Sequence, residues 1–135
     1  MKGQCVWCGG REAFPGTENQ PERCVWCGAT REGVSEGRGE GNVTIQIVGL
    51  MVGGQETPFD GEWLVLYDPK QESFDPEGTH MIATIGTTSQ RGEAMRFKDL
   101  QAARREWMRW DGTMRPDGRP SRPLTAFNVQ IEAMK

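Results

Sequence analysis

Four cysteines are the residues of this chain whose type and spacing can do chemistry. They form two copies of Cys-Val-Trp-Cys-Gly, which begin at Cys5 and Cys24. Fifteen residues separate the two cysteine pairs, so the pattern is C-x2-C-x15-C-x2-C, which is typical of a zinc site. Two residues inside each pair allow a tight turn to aim both sulfurs at one ion about 2.3 Å away. The glycine after each pair can adopt the positive φ that such a turn requires. The predicted metal ligands are Cys5, Cys8, Cys24 and Cys27.

One structural Zn²⁺ is the predicted cofactor. The segment around the cysteines has few apolar residues, and metal binding supplies roughly 10–16 kcal/mol in comparable peptides. Four protein ligands leave no open position for water, which favours a structural role over a catalytic one. Iron of the rubredoxin type has the same four-thiolate geometry and stays open as an alternative. A thioredoxin-like redox pair would need a βαβ context that is missing, and two disulfides would need an export signal.

The two cysteine turns resemble the knuckles of zinc-ribbon proteins, over residues 5–28. This resemblance implies a metal and no particular task. We therefore expect a zinc ribbon over 1–31. Residues 32–41 contain four glycines and almost no apolar groups, which indicates a linker. The remaining residues, 42–135, are predicted to form a small α+β domain.

The pattern after the linker predicts an antiparallel sheet of four to five strands packed against one helix. Strands are expected at 43–52, with a bulge at Gly49, at 63–67, at 80–85, at 94–97 and at 125–133. A helix is expected from Leu100 to about Trp110, capped by Asp99 and ended by Asp111-Gly112. Arg105 and Arg109 are expected on the face away from the core. The predicted core-facing stripe is Leu100, Ala103, Trp107 and Trp110.

Residues of roughly 60–131 carry a second resemblance. The runs DGEWLVLYDP at 60–69, HMIAT at 80–84, AMRF at 94–97 and RPDGRPSRPLTA at 115–126 are its basis. Together they resemble small uncharacterised proteins of actinobacterial phages and prophages. The resemblance implies a phage or mobile-element origin and brings no activity with it.

Charge is unevenly distributed along the chain, whose net charge is −3. Residues 41–90 carry one basic and seven acidic groups, whereas residues 91–122 carry nine basic and five acidic groups. This excludes a uniformly basic nucleic-acid binder but not a local cationic face. The isolated His80 is predicted to be structural, and the acidic residues around it a solvated face. The candidate partner-binding residues are Arg105, Arg109, Arg115, Arg119, Arg122, Trp7 and Trp26.

These features predict a non-catalytic phage-type protein that binds a protein partner. It would be a virion structural or assembly component, or a binder of a host protein. The alternative is a zinc-ribbon regulator that binds nucleic acid through the arginine-rich helix face and loop. No apolar run approaches the roughly 20 residues that span a bilayer, and no small-molecule substrate is indicated. Without a recognisable signal peptide, we expect the protein in the host cytoplasm or the virion.

Overall fold

The computed structural model describes residues 3–14, 23–33 and 35–133. Residues 1–2 and 15–22 of the predicted ribbon lie outside the described residues. So do residue 34 of the predicted linker and residues 134–135 of the predicted α+β domain. None of the helices within the described ranges has the length and apolar character that a membrane crossing requires.

The chain has an α+β fold with antiparallel sheets and, among the described residues, one α-helix, as predicted. The elements are β1 Arg38–Met51, β2 Trp63–Asp68, β3 Ser73–Phe74, β4 His80–Met81, β5 Thr84–Thr88, α1 Leu100–Trp107 and β6 Phe127–Ala133. Four strands form the main sheet in the order β5-β2-β1-β6, and β3 and β4 form a separate two-stranded sheet.

Strand β1 begins inside the segment 32–41 that was predicted to be a linker. Its first residue, Arg38, bridges to Phe97, and the amide of Gly39 donates to the carbonyl of Arg96 at 2.8 Å. Gly41 has a φ of 84°, and a Cβ there would lie 2.6 Å from the carbonyl oxygen of Phe97. The glycines therefore allow close backbone approach at the start of a strand, and composition alone made the segment look flexible.

The predicted bulge at Gly49 is confirmed, since the register of β1 against β6 shifts between Ile47 and Met51. The prediction of a single strand over 80–85 is wrong. β4 and β5 are separated at Ile82 and Ala83, where the carbonyl of Ala83 accepts a 2.7 Å hydrogen bond from the Ser73 hydroxyl. The segment 94–97 is not a strand, although its last residue makes isolated bridges to β1. The final strand begins two residues later than predicted, after a 3₁₀ turn over Pro123–Ala126.

Helix α1 begins as predicted, because the carboxylate of Asp99 accepts a 2.8 Å hydrogen bond from the amide of Ala102. It ends at Trp107, before the predicted Trp110. The predicted stripe is partly wrong: Leu100 is 59% exposed, whereas Ala102, Ala103, Arg105 and Glu106 are buried. The helix contacts β1 and β6 on one side and the cysteine segment on another, so more than one face is covered.

The core of the sheet lies between the inner face of the four strands and α1. Ile45, Ile47, Leu64 and Phe97 are fully buried there. Two alanines of α1, Ala102 and Ala103, are part of the same cluster. Their small side chains let the helix lie close to the sheet, which fixes the position of the helix end that meets the cysteines.

Candidate metal centre

Each cysteine pair lies on a knuckle with its own backbone hydrogen bonds. In the first knuckle the carbonyl of Cys5 accepts from the amide of Gly9 at 2.9 Å, and the amide of Cys5 donates to the carbonyl of Gly10 at 3.0 Å. The second knuckle repeats both bonds from Cys24, each at 2.8 Å. Gly9 and Gly28 have φ values of 76° and 85°, as predicted for the residue after each pair. The sequence repeat is therefore also a structural repeat.

The four sulfurs converge at one point, and all four cysteines are buried. Their Sγ atoms all lie within 4.8 Å of one another, with 3.8 Å between Cys5 and Cys27 and 3.6 Å between Cys8 and Cys24. A disulfide would require about 2.05 Å, so these sulfurs are not bonded to one another. A tetrahedral ion with metal–sulfur distances of about 2.3 Å needs sulfurs about 3.8 Å apart. The cysteines are positioned to hold one metal ion.

Every sulfur also accepts a hydrogen bond from a backbone amide. Such bonds favour the thiolate, which is the form that binds metal, because they compensate negative charge that is buried away from water. The pairs are Cys8 N to Cys5 Sγ at 3.5 Å, Gly10 N to Cys8 Sγ at 3.4 Å, Trp26 N to Cys24 Sγ at 3.3 Å and Ala29 N to Cys27 Sγ at 3.5 Å.

The buried sulfurs of Cys5 and Cys27 affect each other's ionisation. Hydrogen bonds from Cys27 and then from Cys8 lower the pKa of Cys5 to about 2. The pKa of Cys27 is raised, first by its hydrogen bond with Cys5, then by Cys8 and by burial. The pKa values of these two neighbouring sulfurs thus shift in opposite directions, because like charges that are buried together repel one another. A bound dication would stabilise all four as thiolates.

The first knuckle is docked against the C-terminal end of α1. Met108, which directly follows the helix, is part of the buried cluster that contains the four cysteines. The indole N–H of Trp7 donates to the carbonyl of Arg105 at 2.7 Å. Trp110 donates twice in the other direction, from its amide to the carbonyl of Trp7 and from its indole to the carbonyl of Val6, each at 3.0 Å. The metal centre is therefore joined to the helix by side chains and backbone together.

A hairpin over residues 111–121 covers the same knuckle. Its backbone ladder includes bonds from Asp111 N to Ser121 O at 2.9 Å and from Arg115 N to Arg119 O at 2.7 Å. Directly after the hairpin, the Nε of Arg122 donates to the carbonyl of the predicted metal ligand Cys8 at 2.8 Å. The arginine loop is thus an ordered structure that is attached to the metal centre.

Two of the predicted partner-binding arginines are used inside the chain. Arg105 was expected to face solvent but is only 7% exposed, and it donates to the Ser35 hydroxyl at 3.1 Å and to the Glu36 carbonyl at 2.8 Å. Arg109 donates to the carbonyl of Tyr67 at 3.2 Å, and its guanidinium lies 5.1 Å from the ring centroid of Trp7. These side chains hold together the helix, the cysteine segment and the sheet.

The other candidates divide between the metal centre and the surface. Trp7 is partly buried, and Arg122 contacts the first knuckle. Trp26 is 50% exposed, and its indole N–H donates to the carbonyl of Arg11. Arg115 and Arg119 are exposed on the hairpin. The structure thus brings Trp7, Arg105, Arg109 and Arg122 together around the knuckles and leaves Trp26, Arg115 and Arg119 at the surface.

Sequence reasoning missed one ion pair between a partly exposed arginine and a buried carboxylate on α1. Glu106 is fully buried on α1, and Arg38 donates to its carboxylate with three contacts of 3.1–3.2 Å. Burial raises the pKa of Glu106, and the charge of Arg38 opposes that shift. Arg38 was assigned to the linker, and no local pattern marks a charge pair between residues so far apart in sequence. His80 is exposed, and its Nε2 lies 3.7 Å from Oε2 of Glu72.

Comparison with protein-family models found no match to this chain, and searches of curated proteins and of solved structures found none either. The site is therefore interpreted from its own geometry. That geometry comprises four buried sulfurs at metal-binding distances, one amide hydrogen bond to each sulfur, and a first knuckle fixed to both the helix and the arginine hairpin.

Proposed function

We propose that this chain is a non-catalytic, phage-type protein that acts by binding a protein partner. One structural Zn²⁺, held by the four cysteines in a zinc ribbon, would fix its N-terminal region. The partner would be a virion subunit during assembly or a protein of the host. The phage assignment rests on the resemblance over residues 60–131.

The exposed arginine hairpin is the observation that carries the proposal. Its base is fixed by the bond from Arg122 to Cys8, and its backbone ladder holds Arg115 and Arg119 on the surface. Cations presented on a rigid support bind acidic protein surfaces with little loss of conformational entropy. The metal then contributes indirectly, because it holds the knuckle to which the hairpin is attached.

Zinc in a closed site supports a structural role for the metal. Four sulfur ligands would complete a tetrahedral shell, and all four cysteines are buried. Catalytic zinc sites keep a position for water or substrate, which four cysteine ligands do not leave. The donor set fits zinc, and iron would bind with similar geometry. Elemental analysis of protein purified under reducing conditions, with an absorption spectrum, distinguishes the two metals.

Nucleic-acid binding is the alternative, and the arrangement of the helix arginines supports it less well. Arg105 is buried, and Arg109 bonds to a backbone carbonyl and stacks on Trp7. Of the candidate set, a phosphate backbone would therefore meet mainly Arg115, Arg119 and the Nη groups of Arg122. Few phosphate contacts give weak binding at physiological salt.

The test compares particle incorporation and partner binding for matched variants of the full chain. Purified virions of the source phage are probed for the protein, and host proteins are probed by crosslinking combined with light scattering. We expect the double variant Arg115→Glu/Arg119→Glu to lose incorporation or binding. Lys70→Glu/Lys98→Glu makes the same charge change at exposed residues outside the hairpin and should retain it.

Two results would overturn the proposal. One is a protein that is absent from particles and has no crosslinked partner. The other is tight binding of mixed-sequence nucleic acid with an affinity that falls steeply as salt rises, which is the behaviour expected of counterion release. That second result would favour the regulator instead.

A further inference from the structure

A groove of about 620 Å³ lies beside the arginine hairpin, outside the metal centre. One side is formed by the end of β1, another by the segment that joins β4 to β5, and a third by residues 121–127. Arg115 of the hairpin also lines it. Its apolar lining includes Met51, Val52, Met81, Ile82, Ile85 and Phe127.

The rim of the groove exposes apolar surface on two separate segments. Val52 is 59% exposed and Ile82 is 57% exposed, and both line the groove. Phe127 is buried among the lining residues, so the apolar lining is continuous with the core of the sheet. Exposed apolar side chains around a concave surface are typical of a binding site for an apolar group.

Positive charge accompanies this apolar lining. Arg115 and Arg122 line the groove, and none of the described lining residues is acidic, although the chain as a whole has a net charge of −3. Within the described residues, the guanidinium of Arg115 has no hydrogen-bond or ion-pair partner. Arg122 uses its Nε on Cys8, which leaves its two Nη groups without a protein partner there. The groove therefore offers unpaired guanidinium donors next to apolar surface.

We infer that this groove binds an acidic segment of the protein partner, with an apolar side chain on its lining and carboxylates on Arg115 and Arg122. The inference rests on the proposed function and names the binding surface and the chemistry of the partner. Guanidinium groups bind carboxylates through two parallel hydrogen bonds, which gives both charge and directional recognition. An extended segment fits better than an enclosed small molecule, because the rim side chains are more than half exposed.

The metal centre controls one of the two arginines. The bond from Arg122 to the carbonyl of Cys8 holds that guanidinium beside the groove, and Cys8 is itself a metal ligand residue. Loss of the metal removes the fixed knuckle and with it the acceptor that orients Arg122. Removing the metal should therefore weaken peptide binding even though no groove residue has changed.

The experiment selects peptides from a randomised display library on the zinc-loaded full chain. We expect enrichment of peptides in which Asp or Glu flanks Leu or Phe. Their affinity should fall about tenfold or more with Arg115→Glu and with Ile82→Ser. Lys98→Glu is the matched charge control, because Lys98 is exposed outside the hairpin and does not line the groove. Leu100→Ser is the matched apolar control, since Leu100 is 59% exposed elsewhere.

The outcomes separate the groove from the wider function. Enriched acidic peptides that bind both groove variants as tightly as the controls would overturn the groove and leave protein binding intact. Failure to enrich any acidic peptide would also overturn it, whatever the virion and crosslinking results are. Binding of single-stranded nucleic acid that is lost with Arg115→Glu would replace the peptide with a different ligand. Backbone NMR spectra of each variant verify that the fold is unchanged.

Discussion

The cysteine segment and the sheet have cores of different kinds. Four of the eight residues in the buried cluster of the cysteine segment are the cysteines themselves, and two of the others are alanines. The cluster of the sheet contains no cysteine and is built from large side chains such as Ile45, Leu64 and Phe97. Apolar burial at about 25 cal/mol per Å² can stabilise the second core, but the first buries too little apolar surface to do so. The cysteine segment is thus positioned to be stabilised by a metal ion, whereas the sheet is stabilised by the hydrophobic effect.

The largest expected effect is loss of the metal with Cys24→Ser. A site with three thiolates loses a large part of the roughly 10–16 kcal/mol that four-ligand zinc supplies in small peptides. We expect the knuckles to unfold while the sheet keeps its NMR spectrum, because the buried residues of its cluster all lie at or after Val43. Zinc content and two-dimensional NMR spectra measure both parts.

Val25→Ser is the control for that substitution. Val25 adjoins Cys24 on the same knuckle, is 59% exposed and ligates nothing, so its spectrum and zinc content should match those of the unmodified chain. Unfolding of the sheet together with the knuckles in Cys24→Ser would contradict the division into two independently stabilised cores. That result would mean that the helix and the sheet need the contacts of Trp7 and Met108 in order to stay folded.

The second prediction compares the effect of alanine at the equivalent glycines of the two knuckles. Gly9 and Gly28 both have positive φ, so alanine costs roughly 1 kcal/mol at either position. A Cβ on Gly9 would lie 2.3 Å from the ring of Trp110 and 2.7 Å from Pro120, whereas on Gly28 its nearest neighbour is the flexible end of Gln101 at 2.9 Å. We expect Gly9→Ala to destabilise the chain by about 3 kcal/mol and Gly28→Ala by about 1 kcal/mol.

Urea unfolding of the zinc-loaded variants measures this difference. Because both substitutions make the same chemical change at the same place in a repeated turn, the difference isolates the packing of the first knuckle on residues 110–120. Equal destabilisation would mean that the knuckle does not rest on that segment in solution.

The sequence predicts the metal centre better than it predicts the surroundings of the centre. Spacing alone predicted the four cysteines whose sulfurs converge and the two positive-φ glycines, since a C-x2-C knuckle is a local structure whose requirements lie within a few residues. It also gave the antiparallel α+β class, the bulge at Gly49 and the helix cap at Asp99. Each of these depends on periodicity or on a neighbouring residue.

The errors involve contacts between distant segments. Arg105 looked like a solvent-facing residue because its helix was assumed to have one buried face, yet a second face packs against residues 35–36. Arg38 looked like part of a linker because its partner Glu106 lies sixty-eight residues away. The sequence contains no periodic signal for such pairs, which arise only when the sheet, the helix and the knuckles assemble.

The third prediction concerns the ion pair between Arg38 and Glu106. Arg38→Ala leaves the fully buried carboxylate of Glu106 without its cation and should cost about 2 kcal/mol. This is less than the roughly 3–5 kcal/mol of a fully buried pair, because the side chain of Arg38 is 40% exposed. Urea unfolding gives the value, and Arg38→Ala/Glu106→Gln should recover part of the loss because no buried charge remains.

The contribution of Glu106 to the free energy of unfolding changes with pH in a definite direction. Burial raises the pKa of Glu106 above that of the unfolded chain, so its contribution favours the folded state at low pH and is lost as pH rises through the folded pKa. Removal of Arg38 takes away the charge that opposes this shift. The loss in the free energy of unfolding caused by Arg38→Ala should therefore be small in acid and grow as Glu106 ionises. If the destabilisation by Arg38→Ala stays constant with pH, Glu106 is not buried once Arg38 is gone.

The smallest effect compares the two knuckle tryptophans, which occupy equivalent positions in the repeat. Trp7→Phe removes a 2.7 Å hydrogen bond to the carbonyl of Arg105 at the junction of the two regions, which should cost about 1 kcal/mol. Trp26→Phe removes a 2.9 Å bond to Arg11 at a half-exposed site where water can replace it, so the expected loss is a few tenths of a kcal/mol. Hydrogen exchange of the amides of α1 is the sharper measurement. Only Trp7→Phe should speed it, because the indole of Trp7 bonds to the helix and that of Trp26 does not. Equal exchange in both variants would mean that the two cores are not coupled through Trp7.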